Sequence, residues 1–193
     1  MKKYILVLVF STNILAQGIN WGLRFDAQAI NTTSNFDTHT QEMKTNMGYP
    51  LFFSSPQIMF NIYPIKQAGV EIRLGYELGW DDFYGGEYSV LGKYHFYSPL
   101  YILCGVTFKD MDAEHHNNNT IRHVDDTFGL LAAGIGGEIT KHISAELIYL
   151  NGNKRFIEGS ERIYTQTGSY MGETHLNYVI KLSAGFNWSI YDF

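Results

Sequence analysis

The sequence lacks the residues and runs on which several classes of protein depend. Its single cysteine, Cys104, excludes an internal disulfide framework and a metal site of paired cysteines. After the first residues there is no apolar run of about 18 residues, so no transmembrane helix is predicted. Basic residues are outnumbered by acidic ones, at 14 against 19, and the formal charge of −5 argues against nucleic acid as a partner. No low-complexity linker or shift of composition marks a second domain.

The N-terminal segment MKKYILVLVFSTNILAQ has the form of a secretory signal. Two lysines precede an apolar run, and Ala16 supplies a small residue at the expected cleavage position. We therefore predict a cleaved signal peptide at residues 1–16 and one mature domain at residues 17–193. Removing the two lysines moves the formal charge from −5 to −7. A buried N-terminal strand is the alternative, and the paired lysines argue against it.

What the mature segment has in abundance is alternation of apolar and polar residues with a period of two. In AGVEIRLGYELGW, the even-numbered residues from Val70 to Trp80 are apolar, and those between them are charged or glycine. A strand with one apolar face has this pattern, whereas a helix does not separate such residues. The C-terminal segment repeats it between Tyr178 and Ile190. Eight strands are predicted in this way, at residues 19–28, 57–63, 70–80, 87–97, 100–109, 128–140, 143–150 and 178–190.

The connections between these strands alternate in length. Those at residues 64–67, 98–99 and 141–142 are tight, and the one at 81–85 is moderately short. The remaining three are long and polar, at residues 31–49, 110–126 and 151–173. Short turns at one end and longer loops at the other are typical of up-and-down barrels. The sequence therefore predicts an all-β fold, an eight-stranded antiparallel up-and-down β-barrel.

The apolar strand faces must meet either a protein core or lipid. In a soluble barrel they would point inward, and aromatic residues such as Trp80, Phe186 and Trp188 would crowd an eight-stranded lumen. In a transmembrane barrel the apolar faces point toward lipid and the charged faces point into the lumen. An Arg or Lys that faced lipid at the membrane midplane would instead destabilise the barrel by about 2–4 kcal/mol. We predict the transmembrane form. Its lumen is expected to hold an ion-pair network of Arg24, Asp26, Glu71, Arg73, Glu77, Lys93, His95, Glu138, Glu146 and Lys181.

These features resemble the small eight-stranded outer-membrane barrels of the OmpA/OmpX type, a porin-like family, over the whole chain after the signal. The resemblance implies location in the outer membrane of a Gram-negative bacterium, with short periplasmic turns, long outer loops and contact with outer-membrane lipid. It also implies a C-terminal signal for the barrel-insertion machinery, to which Tyr191 and Phe193 correspond. Trp188 and Ile190 lie on the opposite parity, so either a bulge near Asp192 shifts the phase or the terminal residues are read differently.

One polar segment, KDMDAEHHNNNTIRHVDD, contains three histidines among several carboxylates, namely His115, His116 and His123. Imidazole and carboxylate ligands suit zinc, copper or nickel. The adjacent pair does not have the spacing of two ligands on one helical face, and no rigid element is predicted there. A solvated polar loop is therefore the favoured interpretation. The three histidines are weak candidate metal ligands, and no metal or other cofactor is expected.

A second segment, KHISAE, places His142, Ser144 and Glu146 close together and resembles the His-x-Ser motif of outer-membrane lipid A deacylases. In that family a base activates a hydroxyl nucleophile and a carboxylate orients the base. Here the motif lies at a tight turn on the predicted periplasmic side, away from outer-leaflet lipid A. The Asn-Ala that follows Ser in the family is replaced by Ala145-Glu146. The chain is therefore not expected to be an enzyme.

The function expected from the sequence follows from the size of the barrel. An eight-stranded lumen is nearly filled by its own side chains, so a wide pore is not expected. Binding functions concentrate on exposed loops. We expect a non-enzymatic outer-membrane barrel whose outer loops contact a surface ligand or lipopolysaccharide, or support envelope integrity. A narrow channel for small solutes and a lipid A deacylase are the alternatives.

Overall fold

The computed structural model describes the backbone of residues 18–38, 41–78, 84–117, 120–165 and 168–192, and the side chains of residues 18–33, 56–77, 85–110, 127–153 and 175–190. Eight β-strands account for nearly all of these residues. No helix among them is long and apolar enough to cross a membrane. The strands are β1 Gly18–Thr38, β2 Gln41–Ile65, β3 Ala68–Leu78, β4 Tyr84–Tyr97, β5 Leu100–Asn117, β6 Thr120–Glu138, β7 Ile143–Thr165 and β8 Gly168–Asp192.

The sheet closes into a barrel. Each strand pairs antiparallel with its neighbours in the chain, and β1 also pairs with β8. Trp21 of β1, for example, lies opposite Phe60 of β2 and Trp188 of β8. Closure pairs the backbone groups that would otherwise line two sheet edges, as hydrocarbon surroundings require. The prediction of an eight-stranded antiparallel up-and-down β-barrel is confirmed.

The two ends of the barrel differ. One end, the short-turn end, carries the turns at residues 66–67, 98–99 and 139–142, together with the paired strand ends Gly18 and Asp192. At the opposite end, the hairpin end, three pairs of strands continue well beyond their predicted limits. The outermost pairs of these three hairpins are Thr38 with Gln41, Asn117 with Thr120, and Thr165 with Gly168.

The three segments predicted as long connections do lie at the hairpin end, at residues 31–49, 110–126 and 151–173. They differ from the prediction because their described backbone, at residues 31–38, 41–49, 110–117, 120–126, 151–165 and 168–173, forms hydrogen-bonded strands rather than irregular loops. A strand in water needs no apolar face, since its backbone bonds to its partner whatever its side chains are. Such a segment lacks the apolar alternation from which strands are predicted, and that is why its strand character was missed.

The exterior of the barrel wall is apolar. On β3 the alternate residues from Val70 to Tyr76 point outward, with exposed fractions of 41% and 51% for these two side chains, whereas Glu71 between them is fully buried in the lumen. Trp21 and Trp188 stack on the outer surface with ring centroids 5.0 Å apart. The apolar strand faces therefore lie outside the barrel and the charged faces inside.

The lumen itself has two unlike walls. Inward side chains of β1–β4, the polar wall, are mostly polar, whereas those of β5–β8, the apolar wall, are mostly apolar. On β6, Phe128 and Leu130 are buried in the lumen, whereas Leu131 is exposed on the outer surface. Both faces of this strand are therefore apolar. Such a strand shows no period of two. The buried apolar cluster consists of Ile30, Leu91, Tyr101, Leu103, Phe128, Leu130, Ala132, Ile148, Leu150, Leu176 and Val179.

Candidate functional site in the barrel lumen

Five charged side chains form a first layer across the lumen, on the side of the short-turn end. The Glu146 carboxylate lies 2.9 Å from Arg24 Nη1 and 2.5 Å from Arg73 Nη2. The Glu71 carboxylate accepts a hydrogen bond of 2.6 Å from Arg73 Nε and lies 3.7 Å from Arg24 Nη2. Lys93 Nζ lies 3.6 Å from Glu71. These contacts connect β1, β3, β4 and β7, so the layer ties opposite sides of the barrel together.

Tyr101 completes the first layer from the apolar wall. Its hydroxyl donates a 2.7 Å hydrogen bond to Glu146 Oε1, and its ring lies 3.8 Å below Lys93 Nζ. A cation over an aromatic face is attracted by the ring quadrupole. Tyr101 is fully buried, so a residue counted among the apolar cluster also binds both signs of charge in this layer.

A second layer of five charges lies nearer the hairpin end. The Glu87 carboxylate accepts hydrogen bonds of 2.5 and 2.6 Å from Lys181 Nζ, and Lys109 Nζ lies 3.2 Å from it. Lys109 also pairs with Glu77. Lys181 Nζ lies 3.4 Å from Asp26 Oδ2. The second layer therefore joins β1, β3, β4, β5 and β8.

Two amides extend the second layer. Gln57 Nε2 donates to Asp26 Oδ2 at 3.0 Å and to Glu87 Oε1 at 2.8 Å, and Gln28 donates to Glu77. Hydrogen bonds to a carboxylate are stronger than those between neutral groups. The amides thus hold carboxylates that two lysines alone would leave partly unsatisfied.

The two layers have opposite net charge. The first contains three cations and two carboxylates, and the second contains two cations and three carboxylates. The ten charges balance across the lumen, and none of these side chains is more than 6% exposed. Because an uncompensated buried charge costs several kcal/mol, about 3–5 when one partner of a pair is removed, this arrangement depends on every member.

Small residues make room for the layers. An added Cβ at Gly185 would lie 2.8 Å from Ser144 Oγ and 2.9 Å from Arg24 Nη2. An added Cβ at Gly136 would overlap the Tyr101 ring. Both glycines face the lumen next to a bulky side chain that crosses it, so their lack of a side chain is what lets that group fit.

Eight of the ten residues predicted for the lumen network lie in these layers. His95 and Glu138 do not, because they lie closer to the short-turn end; the His95 ring lies between those of Tyr63 and Tyr101, with centroid separations of 5.9 and 5.1 Å. Glu87 and Lys109 belong to the second layer, although they were not predicted for the network. Glu87 shares its strand parity with Lys93, so the period of two already contained the signal for it.

The candidate metal ligands and the C-terminal signal cannot be placed in this way. The side chains of His115, His116, His123, Tyr191 and Phe193 lie outside the described residues, as does the segment at residues 1–16. Within the side chains that are described, no group of three or more His, Cys, Asp or Glu residues is arranged to hold a metal ion.

The three residues of the KHISAE segment point to different surroundings. Ser144 is fully buried in the lumen, where its Oγ lies 3.4 Å from Arg24 Nη2. Glu146 belongs to the first layer. His142 is exposed at the turn, and its Nδ1 lies 3.0 Å from the carbonyl oxygen of Asn187. The partners of the histidine and the serine are thus different groups, whereas a hydrolytic triad needs the base bonded to the nucleophile.

Comparison with known proteins bears on the fold. No protein-family model matches the sequence, and no curated protein matches it. The outer membrane protein OprG of Pseudomonas aeruginosa has a similar structure, with a TM-score of 0.55 and 11% sequence identity over 90% of this chain and 97% of OprG. The chain has the fold of the small eight-stranded outer-membrane barrels.

Two further outer-membrane barrels are similar over nearly their full length, with lower scores. The N-terminal β-barrel domain of Pseudomonas aeruginosa OprF has a TM-score of 0.43 and 13% identity, over 90% of this chain and 99% of that domain. Ail, the attachment invasion locus protein of Yersinia pestis, has a TM-score of 0.38 and 12% identity, over 89% and 99% of the two chains. At such identities the likeness concerns the fold.

Proposed function

We propose that this small outer-membrane barrel is a non-enzymatic protein of the Gram-negative outer membrane that acts through its hairpin end. Its signal peptide at residues 1–16 is removed on export, and the barrel-insertion machinery reads Tyr191 and Phe193. The hairpins contact a surface ligand or lipopolysaccharide, or support envelope integrity. The observation that carries the proposal is that side chains fill the lumen at the two ion-pair layers. Because solutes cannot pass there, the hairpin end is the surface that is available to partners.

The exterior supports the membrane location. Leu182, Val90 and Ile102 are exposed on the barrel wall among other apolar side chains, while charged residues of the same strands are buried inside. Apolar surface of this extent is unfavourable in water and favourable in hydrocarbon. The same wall in water would leave a continuous apolar belt exposed around the molecule.

The interior argues against an open pore. Two layers of paired charges cross the lumen, and beside them the apolar wall buries Phe128, Leu130 and Leu150 at 2% exposure or less. A passage for solutes would have to separate ion pairs such as that between Arg24 and Glu146. Eight-stranded barrels have interiors just wide enough for their side chains.

The hairpin end provides a backbone surface for partners. Four strands, in the order β2, β1, β8 and β7, continue together as one sheet, as the β1–β8 pair Asp37 with Met171 shows. Among the described residues, the β2–β3 ladder ends earlier, at Gln57 with Gly75, and the β6–β7 ladder ends at Leu131 with Asn151. Strand edges beyond these points can pair with an extended segment of another molecule.

The proposal is tested by conductance and by shortening one hairpin. In planar lipid bilayers we expect no conductance steps from the reconstituted barrel, and regular steps would favour the narrow channel. Replacing residues 34–45 with Asn-Gly keeps Thr33 opposite Asn46 and supplies a two-residue turn. This variant should still show the gel shift between unboiled and boiled samples that a closed barrel shows, but should bind immobilised lipopolysaccharide more weakly.

The outcomes separate the alternatives. Equal lipopolysaccharide binding by the shortened and the complete barrel, with unchanged envelope integrity of cells that express them, would contradict a role for this hairpin. Mass spectrometry of lipid A from cells with and without the protein tests the deacylase. Loss of acyl chains that disappears in a Ser144→Ala variant would show an enzyme.

A further inference from the structure

A cavity of about 450 Å³ lies at the short-turn end, on the opposite side of the ion-pair layers from the hairpins. Its rim includes the turn residues Lys66, Gln67 and Ser98, and its walls include the aromatic side chains of Tyr63 and His95. Cavities of about 300–1,000 Å³ are typical of small-molecule sites. The volume is therefore sufficient for a ligand of a few to about a dozen non-hydrogen atoms.

One hydrogen-bond acceptor that lines this cavity, the Glu138 carboxylate, has no donor among the described side chains. The Glu138 carboxylate makes no ion pair or hydrogen bond within the part of the chain whose side chains are described; only its backbone N–H is engaged, donating to the Pro99 carbonyl at 3.1 Å. A carboxylate can only accept, so this partly exposed group takes its donors from water or from a bound molecule.

Neither Lys93 nor Lys66 supplies that donor. Lys93 lies beyond His95 and is already held between Glu71, at 3.6 Å, and the ring of Tyr101. Lys66 is exposed at the rim and forms no ion pair with Glu138. A negative group without a partner thus lies beside aromatic rings, and such surroundings attract organic cations through both the charge and the ring faces.

We propose that this cavity binds a small organic cation, whose ammonium group donates to Glu138 while its carbon body packs against Tyr63 and His95. An anion would be repelled by the Glu138 carboxylate, and among the described lining residues Lys66 is the one lysine or arginine that could offset this repulsion. The site goes beyond the proposed function of the hairpins and does not depend on it.

The test uses the complete mature chain folded in neutral detergent micelles at low ionic strength. Isothermal titration with 1,5-diaminopentane should show saturable binding, while acetate and inorganic phosphate should show none. Glu138→Gln should weaken amine binding by about tenfold or more, as expected for a lost charge-assisted hydrogen bond.

Asp110→Asn is the matched control, since this carboxylate lies at the other end of the barrel, where it accepts a hydrogen bond from Thr127 at 3.0 Å. It should leave amine binding unchanged. Lys66→Gln removes the competing cation at the rim, so binding should be kept or strengthened. Each variant is first checked for the gel shift of a closed barrel, and Lys66→Gln carries the test if Glu138→Gln does not fold.

Three results would overturn the proposal. Phosphate binding without amine binding would show an anion site centred on Lys66. Equal losses of amine affinity in Glu138→Gln and Asp110→Asn would show that binding depends only on the overall charge of the protein. Absence of any saturable amine binding by the folded barrel would show that water alone fills the cavity.

Discussion

The polar and apolar walls of the lumen fill the same barrel by different means. On β3 of the polar wall, Glu71 and Arg73 are buried between exposed apolar residues, and each charge has a partner within reach. On β6 of the apolar wall, Phe128 and Leu130 are buried without any such requirement. The polar wall therefore depends on particular partners, whereas the apolar wall depends on volume.

The difference has an energetic consequence. An ion pair with one partner removed leaves a buried charge, and the cost appears even when the replacement has the same shape. An apolar contact tolerates replacement by another apolar residue of similar volume. Replacements that conserve volume should therefore separate the charged side chains of the two layers from the side chains of the apolar cluster. Urea unfolding of the barrel in lipid vesicles gives the free energies of unfolding needed to compare them.

The largest effect is expected from Glu146→Gln on the first layer. The change conserves shape but removes one of the two carboxylates that Arg24 and Arg73 share, so that Glu71 alone faces three cations. We expect a loss of about 3–5 kcal/mol in the free energy of unfolding. Glu138→Gln is the control, because this carboxylate has no ion pair among the described side chains, and it should change stability little. Similar losses in both variants would contradict a special role for the layer.

A lysine on the outer face tests the contrast between the interior and the exterior. Lys93 is buried inside β4 next to Glu71, whereas Val90 of the same strand is exposed opposite Ile72 and Val106. Val90→Lys should cost about 2–4 kcal/mol if this surface lies near the membrane midplane. Thr127→Lys, placed beyond the apolar belt, should cost about 0–1 kcal/mol. If Val90→Lys were tolerated equally well, the wall would not face hydrocarbon.

A glycine pair tests how tightly the first layer is packed. In Gly185→Ala the new methyl group would displace the Arg24 guanidinium, and we expect a loss of about 1–3 kcal/mol in the free energy of unfolding. In Gly92→Ala the methyl group would lie 3.5 Å from the Cys104 carbonyl oxygen, an ordinary contact on the outer face. This second change should be close to neutral. Equal losses in the free energy of unfolding for the two variants would show that the effect comes from the backbone conformation at glycine and not from the space in the lumen.

The smallest effect is expected on the apolar wall. Leu150 is 1% exposed within the apolar cluster, and Leu150→Met conserves its volume approximately. The free energy of unfolding should fall by less than about 1.5 kcal/mol. A loss as large as that of Glu146→Gln would remove the distinction between the charged layers and the apolar cluster.

The strands of the polar wall and the direction of their side chains are also the features that the sequence predicts best. Val70 to Tyr76 alternate between lipid and charged interior, so the strand and its orientation are both visible along the chain. On β6 the inward Leu130 and outward Leu131 are the same residue type, and no local pattern distinguishes their faces. The strands of the hairpin segments were not predicted for another reason, because these segments lack the apolar face from which a strand is recognised.

The candidate sites show the same division. Alternation identifies Arg24, Glu71 and Glu146 as inward charges, but it does not say which of them meet. It equally marks His95 and Glu138 as inward, although both lie apart from the layers, beside a cavity. The distance between side chains on β1 and β7 depends on closure and register, which are relations between residues far apart in the sequence.

What the sequence by itself determined is the number of strands in the barrel wall, the face of each alternating strand that points outward, and the charged character of the lumen. Periodicity is a local property, and it needs no knowledge of neighbouring strands. Only the tertiary structure decided the pairing of Glu87 with Lys181, the apolar wall, the continuation of the hairpins and the cavity beside Glu138. Each of these results from bringing distant strands into register in a closed barrel, because closure alone sets which side chains share the lumen at a given height.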